Sequence, residues 1–128
     1  MQQTELLIIG GGAAGLTAGL YGARAGRRTV LIERMFAGGQ IATTHRLENY
    51  PGFPQGIGGV EIGMAMMEQA ERFGLEIQYD TVNGLELDGA VKTARCEGGD
   101  WQAAAVAEGA QLPTATLRTS SGLVKLYK

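Results

Sequence analysis

A run of glycines, Gly10-Gly11-Gly12-Ala13-Ala14-Gly15, joins the apolar stretch Leu6-Leu7-Ile8-Ile9 to an alanine-rich segment over 13–25. Few folds accommodate that order. Continuous rather than alternating hydrophobicity suits a parallel strand buried on both faces. Leu16, Leu20 and Ala23 then recur at helical spacing, and Gly26 stops the helix. Thr29-Val30-Leu31-Ile32 reads as a second buried strand that closes on Glu33. Strand, glycine turn, helix and strand make a βαβ unit, the building piece of a parallel sheet.

Each glycine of Gly10-x-Gly12-x-x-Gly15 has a physical task in such a unit. Gly10 permits the tight turn, Gly12 lets a pyrophosphate touch the backbone, and Gly15 lets the helix lie close on the strand. The amides of Ala13 and Ala14 open the helix, where unpaired N–H groups and positive potential suit an anion. Glu33 lies 18 residues past Gly15, placed to accept hydrogen bonds from a ribose diol. A carboxylate there repels a 2′-phosphate, so the site favours FAD or NAD over NADP.

Residues 34–58 show no long periodic pattern but hold Gly38-Gly39-Gln40 and Asn49-Tyr50-Pro51-Gly52-Phe53-Pro54. Loops of this length in a compact domain are usually functional. Helical spacing returns over 59–73, with Ile62, Met66, Ala70 and Phe73 on one face and Gly74 as the stop. Met64, Met66 and Met67 are expected to pack on the sheet. Glu76-Ile77-Gln78-Tyr79 reads as a third strand. Segments 82–87, 91–96 and 101–107 form a likeness of a small antiparallel meander, joined by Asp88-Gly89 and Gly98-Gly99-Asp100. The fold class is α/β, with a parallel sheet over 6–10, 29–33, 76–79 and 103–107.

Composition removes several function classes. The 128 residues carry a net charge of −2, which gives no general attraction to nucleic acid. One cysteine, Cys96, excludes an intrachain disulfide, a CxxC pair and a cysteine zinc cluster. The 21 glycines follow no collagen period and speak for backbone pressed against a ligand or another element. No apolar run approaches about 18 residues and the N-terminus has no basic region, so a soluble, cytoplasmic chain without a membrane partner is expected. All 13 acidic residues lie before residue 111, whereas 111–128 carry Arg118, Lys125 and Lys128. The chain is therefore divided into a dinucleotide-binding segment, 1–110, and a basic tail, 111–128, without a clear element.

Three blocks carry a family resemblance: Gly10-Gly11-Gly12-Ala13-Ala14-Gly15-Leu16-Thr17-Ala18, Gly38-Gly39-Gln40-Ile41 and Glu48-Asn49-Tyr50-Pro51-Gly52-Phe53. In that order and spacing the chain resembles the bacterial, low-molecular-weight thioredoxin reductases, from about Leu6 to Leu87 and more weakly to Ala110. The resemblance implies a Rossmann-like FAD-binding domain in which the first βαβ unit holds FAD. Gly39, Gln40, Ile41, Thr44 and Asn49 would then lie beside the isoalloxazine, and the backbone of Val82 would meet the adenine. Without the resemblance, Gln40 and Asn49 are an amide pair on a loop long enough to reach a ligand. In a complete family member NADPH reduces FAD, and the reduced flavin reduces a disulfide on the way to thioredoxin.

The chain also departs from that pattern. It has no second glycine fingerprint for NADPH, no CxxC and no Gly-Asp pair beyond residue 100. Ala107-Glu108-Gly109-Ala110 stands where the family shows Ala-Thr-Gly-Ala, and a glutamate near an anionic diphosphate is unfavourable. The leading expectation is the FAD-binding part, incomplete, of a thioredoxin-reductase-like pyridine nucleotide-disulfide oxidoreductase. The rival is a non-catalytic or truncated dinucleotide-binding module that self-associates or pairs with a complementing chain. An NAD-binding regulatory domain fits residues 10–33 but leaves Gly38-Gly39-Gln40 and Asn49 without a role. The strand around 103–106 is expected at a sheet edge with one apolar face open. His45 reads as a solvated loop residue, Cys96 as a small filler, Trp101 as structural, and Arg24, Arg27 and Arg28 as a helix-end cluster.

Overall fold

Leu7, Ile8 and Ile9 are all withdrawn from solvent, although successive strand residues point to opposite faces. Both faces of their strand must therefore be covered. The computed structural model describes residues 1–36, 38–108, 118–119 and 122–123. In it β1 (Gln2–Ile9) leads through α1 (Ala13–Arg24) to β2 (Thr29–Glu33). There follow α2 (Gly39–Thr43), the short strands β3 (Arg46–Leu47) and β4 (Ile57–Gly58), and α3 (Gly59–Arg72). Four strands come next: β5 (Glu76–Tyr79), β6 (Val82–Glu86), β7 (Lys92–Cys96) and β8 (Trp101–Glu108). They join β1 and β2 in a six-stranded sheet of order β5-β2-β1-β8-β7-β6. The first four strands of that order are mutually parallel, and β8, β7 and β6 form the antiparallel meander.

The two faces have different covers. Ile8 and Leu31 pack with Leu16 of α1, Ala70 of α3 and Leu75. Leu7, Ile9, Val30 and Ile32 pack on the other side with Ala94, Cys96, Trp101, Ala103 and Val106. The meander therefore curls over the face that the helices leave open, as a twisted sheet can. Trp101 and Cys96 are core residues here, and His45 is exposed, as the sequence suggested.

β1 begins at Gln2 rather than Leu6, because Gln2, Gln3 and Thr4 pair with Trp101, Gln102 and Ala103. The N–H groups of Glu5 and Leu6 both donate to the Arg28 carbonyl, where β1 comes alongside the start of β2. β8 is not a sheet edge. It lies between β1 and β7, its alanines carrying little surface to cover while Leu7 and Ile9 alongside supply the volume. Pairing with β7 involves residues 101–103 only, so among the described residues 105–108 are paired by β1 alone.

On α3, Ile62 and Ala70 are buried and Met66 and Met67 pack partly on the helical core, but Met64 is 54% exposed. Two residues past Ile62, it sits roughly 200° around the helix. Phe73 is 41% exposed because the helix ends at Arg72 and the chain turns away at Gly74, φ +107°. Within the tail, β9 (Arg118–Thr119) and β10 (Gly122–Leu123) pair antiparallel where no element was expected. The remainder of 109–128 lies outside the described residues.

Candidate functional site

The turn from β1 into α1 departs from strand geometry at Gly10, whose φ of +97° is open to glycine and strained for other residues. Its N–H donates to the Ile32 carbonyl at 2.8 Å, which ties the turn to β2. Gly15 answers to packing: a Cβ there would stand 1.8 Å from the Gly10 carbonyl oxygen. Gly12 answers to neither. It is the N-cap of α1 with an ordinary φ of −74°, and among the described residues a Cβ would meet nothing nearer than Gly39 Cα at 4.0 Å. No side chain caps the helix and no acid stands in its first turn. The amides at Ala13 and Ala14 are thus offered to the space beside Gly12 with the positive end of the helix dipole behind them.

Glu33 comes to the same place from β2. Its Oε2 accepts the Gly11 N–H at 2.5 Å and its Oε1 accepts the Met35 N–H at 3.1 Å. The carboxylate at the second strand's end therefore meets the glycine turn, a protein contact where the sequence reading had expected a ribose diol. A third segment completes the cluster. The Gly38 N–H donates to the Gly11 carbonyl at 2.6 Å, and Gly38 bridges Gly12 in parallel fashion. Gly39 is closer still, since a Cβ on it would come within 2.9 Å of Gly12 Cα. The two glycine runs thus touch backbone to backbone through Gly38 and Gly39, a contact that the spacing of the first glycine motif does not imply. Its only trace in the sequence is the second glycine pair.

The other candidate residues are placed less closely. Gln40 and Ile41 stand on α2, next to this contact, with side chains outside the described residues. Thr44 follows α2 and is exposed. Asn49 lies on the exposed loop between β3 and β4, beside a cleft of about 300 Å³ lined by Tyr50, Pro51 and Phe53. No hydrogen bond among the described residues joins Asn49 to the glycine turn. Val82 opens β6, half-buried, and packs on the meander-side core. Two residues earlier the Asp80 N–H donates to the Glu33 carbonyl at 3.0 Å, so the chain reaches Val82 past the end of β2.

Glu108 ends β8 directly opposite Ile9, the residue before Gly10. Burial pushes its carboxyl above the usual carboxylate range. Burial likewise raises the Cys96 thiol to about 11, with Asp80 and Asp100 adding to the effect, so this lone thiol is poorly suited to nucleophilic work. Among the described residues no group of three or more metal-ligating side chains occurs, and no helix is long and apolar enough to cross a membrane.

A family model for pyridine nucleotide-disulphide oxidoreductases matches residues 4–117. Among curated proteins, a thioredoxin reductase of Peptoclostridium acidaminophilum is 43% identical over 102 residues, which is 80% of this chain and 32% of that one. A bifunctional thioredoxin reductase/thioredoxin of Mycobacterium leprae is 45% identical over 103 residues, 80% of this chain and 22% of its own. The solved thioredoxin reductase of Lactococcus lactis superposes with a TM-score of 0.79 at 38% identity, covering 82% of this chain and 34% of that one. The chain spans about a third or less of the length of these relatives.

Proposed function

The chain belongs to the pyridine nucleotide-disulphide oxidoreductase family, and from that premise we propose that residues 1–110 bind FAD as the dinucleotide-holding part of a thioredoxin-reductase-like flavoprotein. The observation that carries this reading is the unclaimed space at Gly12. Gly10 and Gly15 are glycines for the fold's sake, whereas at Gly12 the absent side chain leaves room that no described residue fills. A diphosphate lying there would accept hydrogen bonds from the amides at Ala13 and Ala14.

The donor set fits such a ligand. Glu33 would exchange its bonds to Gly11 and Met35 for the ribose diol. Gly39, the α2 residues Gln40 and Ile41, and Thr44 and Asn49 would flank the flavin half, and the Val82 backbone would meet the adenine. When bound, FAD supplies the redox centre between NADPH and a disulfide, with thioredoxin as the final acceptor in the complete enzyme. The tasks of this chain are narrower: to orient the diphosphate, to hold the ribose, and to keep the glycine turn dry against Ile9. Its lone Cys96 and single glycine fingerprint leave the dithiol and the NADPH site to residues other than its own. A cytoplasmic setting suits an unpaired thiol.

Titration of the purified chain with FAD, followed by flavin fluorescence and by absorbance after gel filtration, tests the reading. Saturable quenching and a yellow protein peak are expected. A colourless protein that instead binds NAD would overturn it.

A further inference from the structure

β8 brings a glutamate to the strand end from which the glycine turn leaves. β8 runs parallel to β1 with Glu108 opposite Ile9, so its last residue flanks the turn that begins at Gly10. Strand order changes direction at this junction, with β2 on one side of β1 and β8 on the other. Open α/β sheets take their ligands in the crevice outside the strands' carboxyl ends at such a point. Glu108 is 9% exposed, and its Oε1 is buried without a hydrogen-bond partner among the described residues.

The charged groups described on the neighbouring strands have partners of their own. On β2, Glu33 accepts from Gly11 and Met35. On β7, Lys92 donates to the Gly89 carbonyl and Arg95 is held by Glu86 and Asp100. On β1, Glu5 lies at the far end with Arg27 and Arg28. The first turn of α1 carries no acid. Resting on the FAD reading above, we propose that Glu108 makes dinucleotide binding proton-linked: a neutral carboxyl accommodates the diphosphate beside Gly12 and can donate to it, and an ionised one opposes it.

Burial raises the pKa of Glu108 in the free chain, and an adjacent diphosphate raises it further in the complex. Between those two values binding takes up a proton, and Kd rises with pH toward about tenfold per unit.

The test titrates the full chain, Glu108→Gln and Glu108→Thr with FAD from about pH 5 to about pH 8, a window around carboxyl and histidine titration. Wild-type Kd is expected to climb about tenfold or more toward the alkaline end while both variants stay level. Calorimetry in buffers of unlike ionisation enthalpy is expected to find uptake approaching about one proton per FAD, absent in Glu108→Gln. Should that variant fail to fold, Glu108→Thr carries the comparison. Parallel pH profiles in wild type and variants, or proton uptake that survives the substitution, overturn the proposal and leave the FAD reading standing. Absence of FAD binding by all three chains at every pH overturns the FAD reading and this inference with it.

Discussion

Gly12 and Gly15 sit three residues apart in one motif, yet the protein needs them for different reasons, and substitution separates the two. Gly15→Ala drives a methyl group into the Gly10 carbonyl, so the turn or the helix must shift. A loss of about 3 kcal/mol is expected, read from urea unfolding. Gly12→Val starts from an ordinary backbone conformation, and its Cβ clears the described residues. Its stability is expected within about 1 kcal/mol of wild type, while FAD retention is abolished. A Gly12→Val chain that remains yellow after gel filtration would show that the diphosphate lies elsewhere. The strand, glycine turn, helix and strand around these residues were legible, because a glycine fingerprint between two apolar runs marks a βαβ unit. The bond from the Gly11 N–H to Glu33 was not, since the acid's spacing was read only as a ribose contact. The Gly38–Gly11 contact was less legible, since it joins two turns whose separation in the chain obeys no period.

At the scale of elements, α3 offers a direct test of which face holds the fold. Ile62 is 2% exposed and Met64 54% exposed. Ile62→Ala is expected to cost about 3 kcal/mol and Met64→Ala less than about 0.5 kcal/mol, both from denaturant midpoints. Equal losses would mean that the helix is rotated from the orientation described. Strands β1 and β2 and helix α1 could be read from the sequence because burial on both strand faces leaves a continuous apolar signature. The five residues of α2 and the two-residue strands β3 and β4 are too short to display any period. Gln2, Gln3 and Thr4 are polar and became strand only because β8 supplies hydrogen-bonding partners. Pairing imposed from a distance leaves no mark on local composition.

For the whole molecule, chemistry and assembly set the limits. One cysteine cannot cycle between dithiol and disulfide within a chain. The pure chain is expected to show no NADPH-dependent reduction of a disulfide dye, even with FAD bound. Turnover that a Gly12→Val substitution removes would contradict this. The sheet has a further consequence that concerns time. Its central pair, β1 with β8, joins residues 99 positions apart, as between Gln3 and Gln102. At synthesis rates of about 5–20 residues per second, β8 leaves the ribosome about 5–20 s after β1. Through that interval Leu7, Ile8 and Ile9 have β2 on one side and an unpaired edge on the other. A nascent chain of this fold therefore carries its most apolar strand half-finished for seconds, the period in which a chaperone or a neighbouring nascent chain can reach it first.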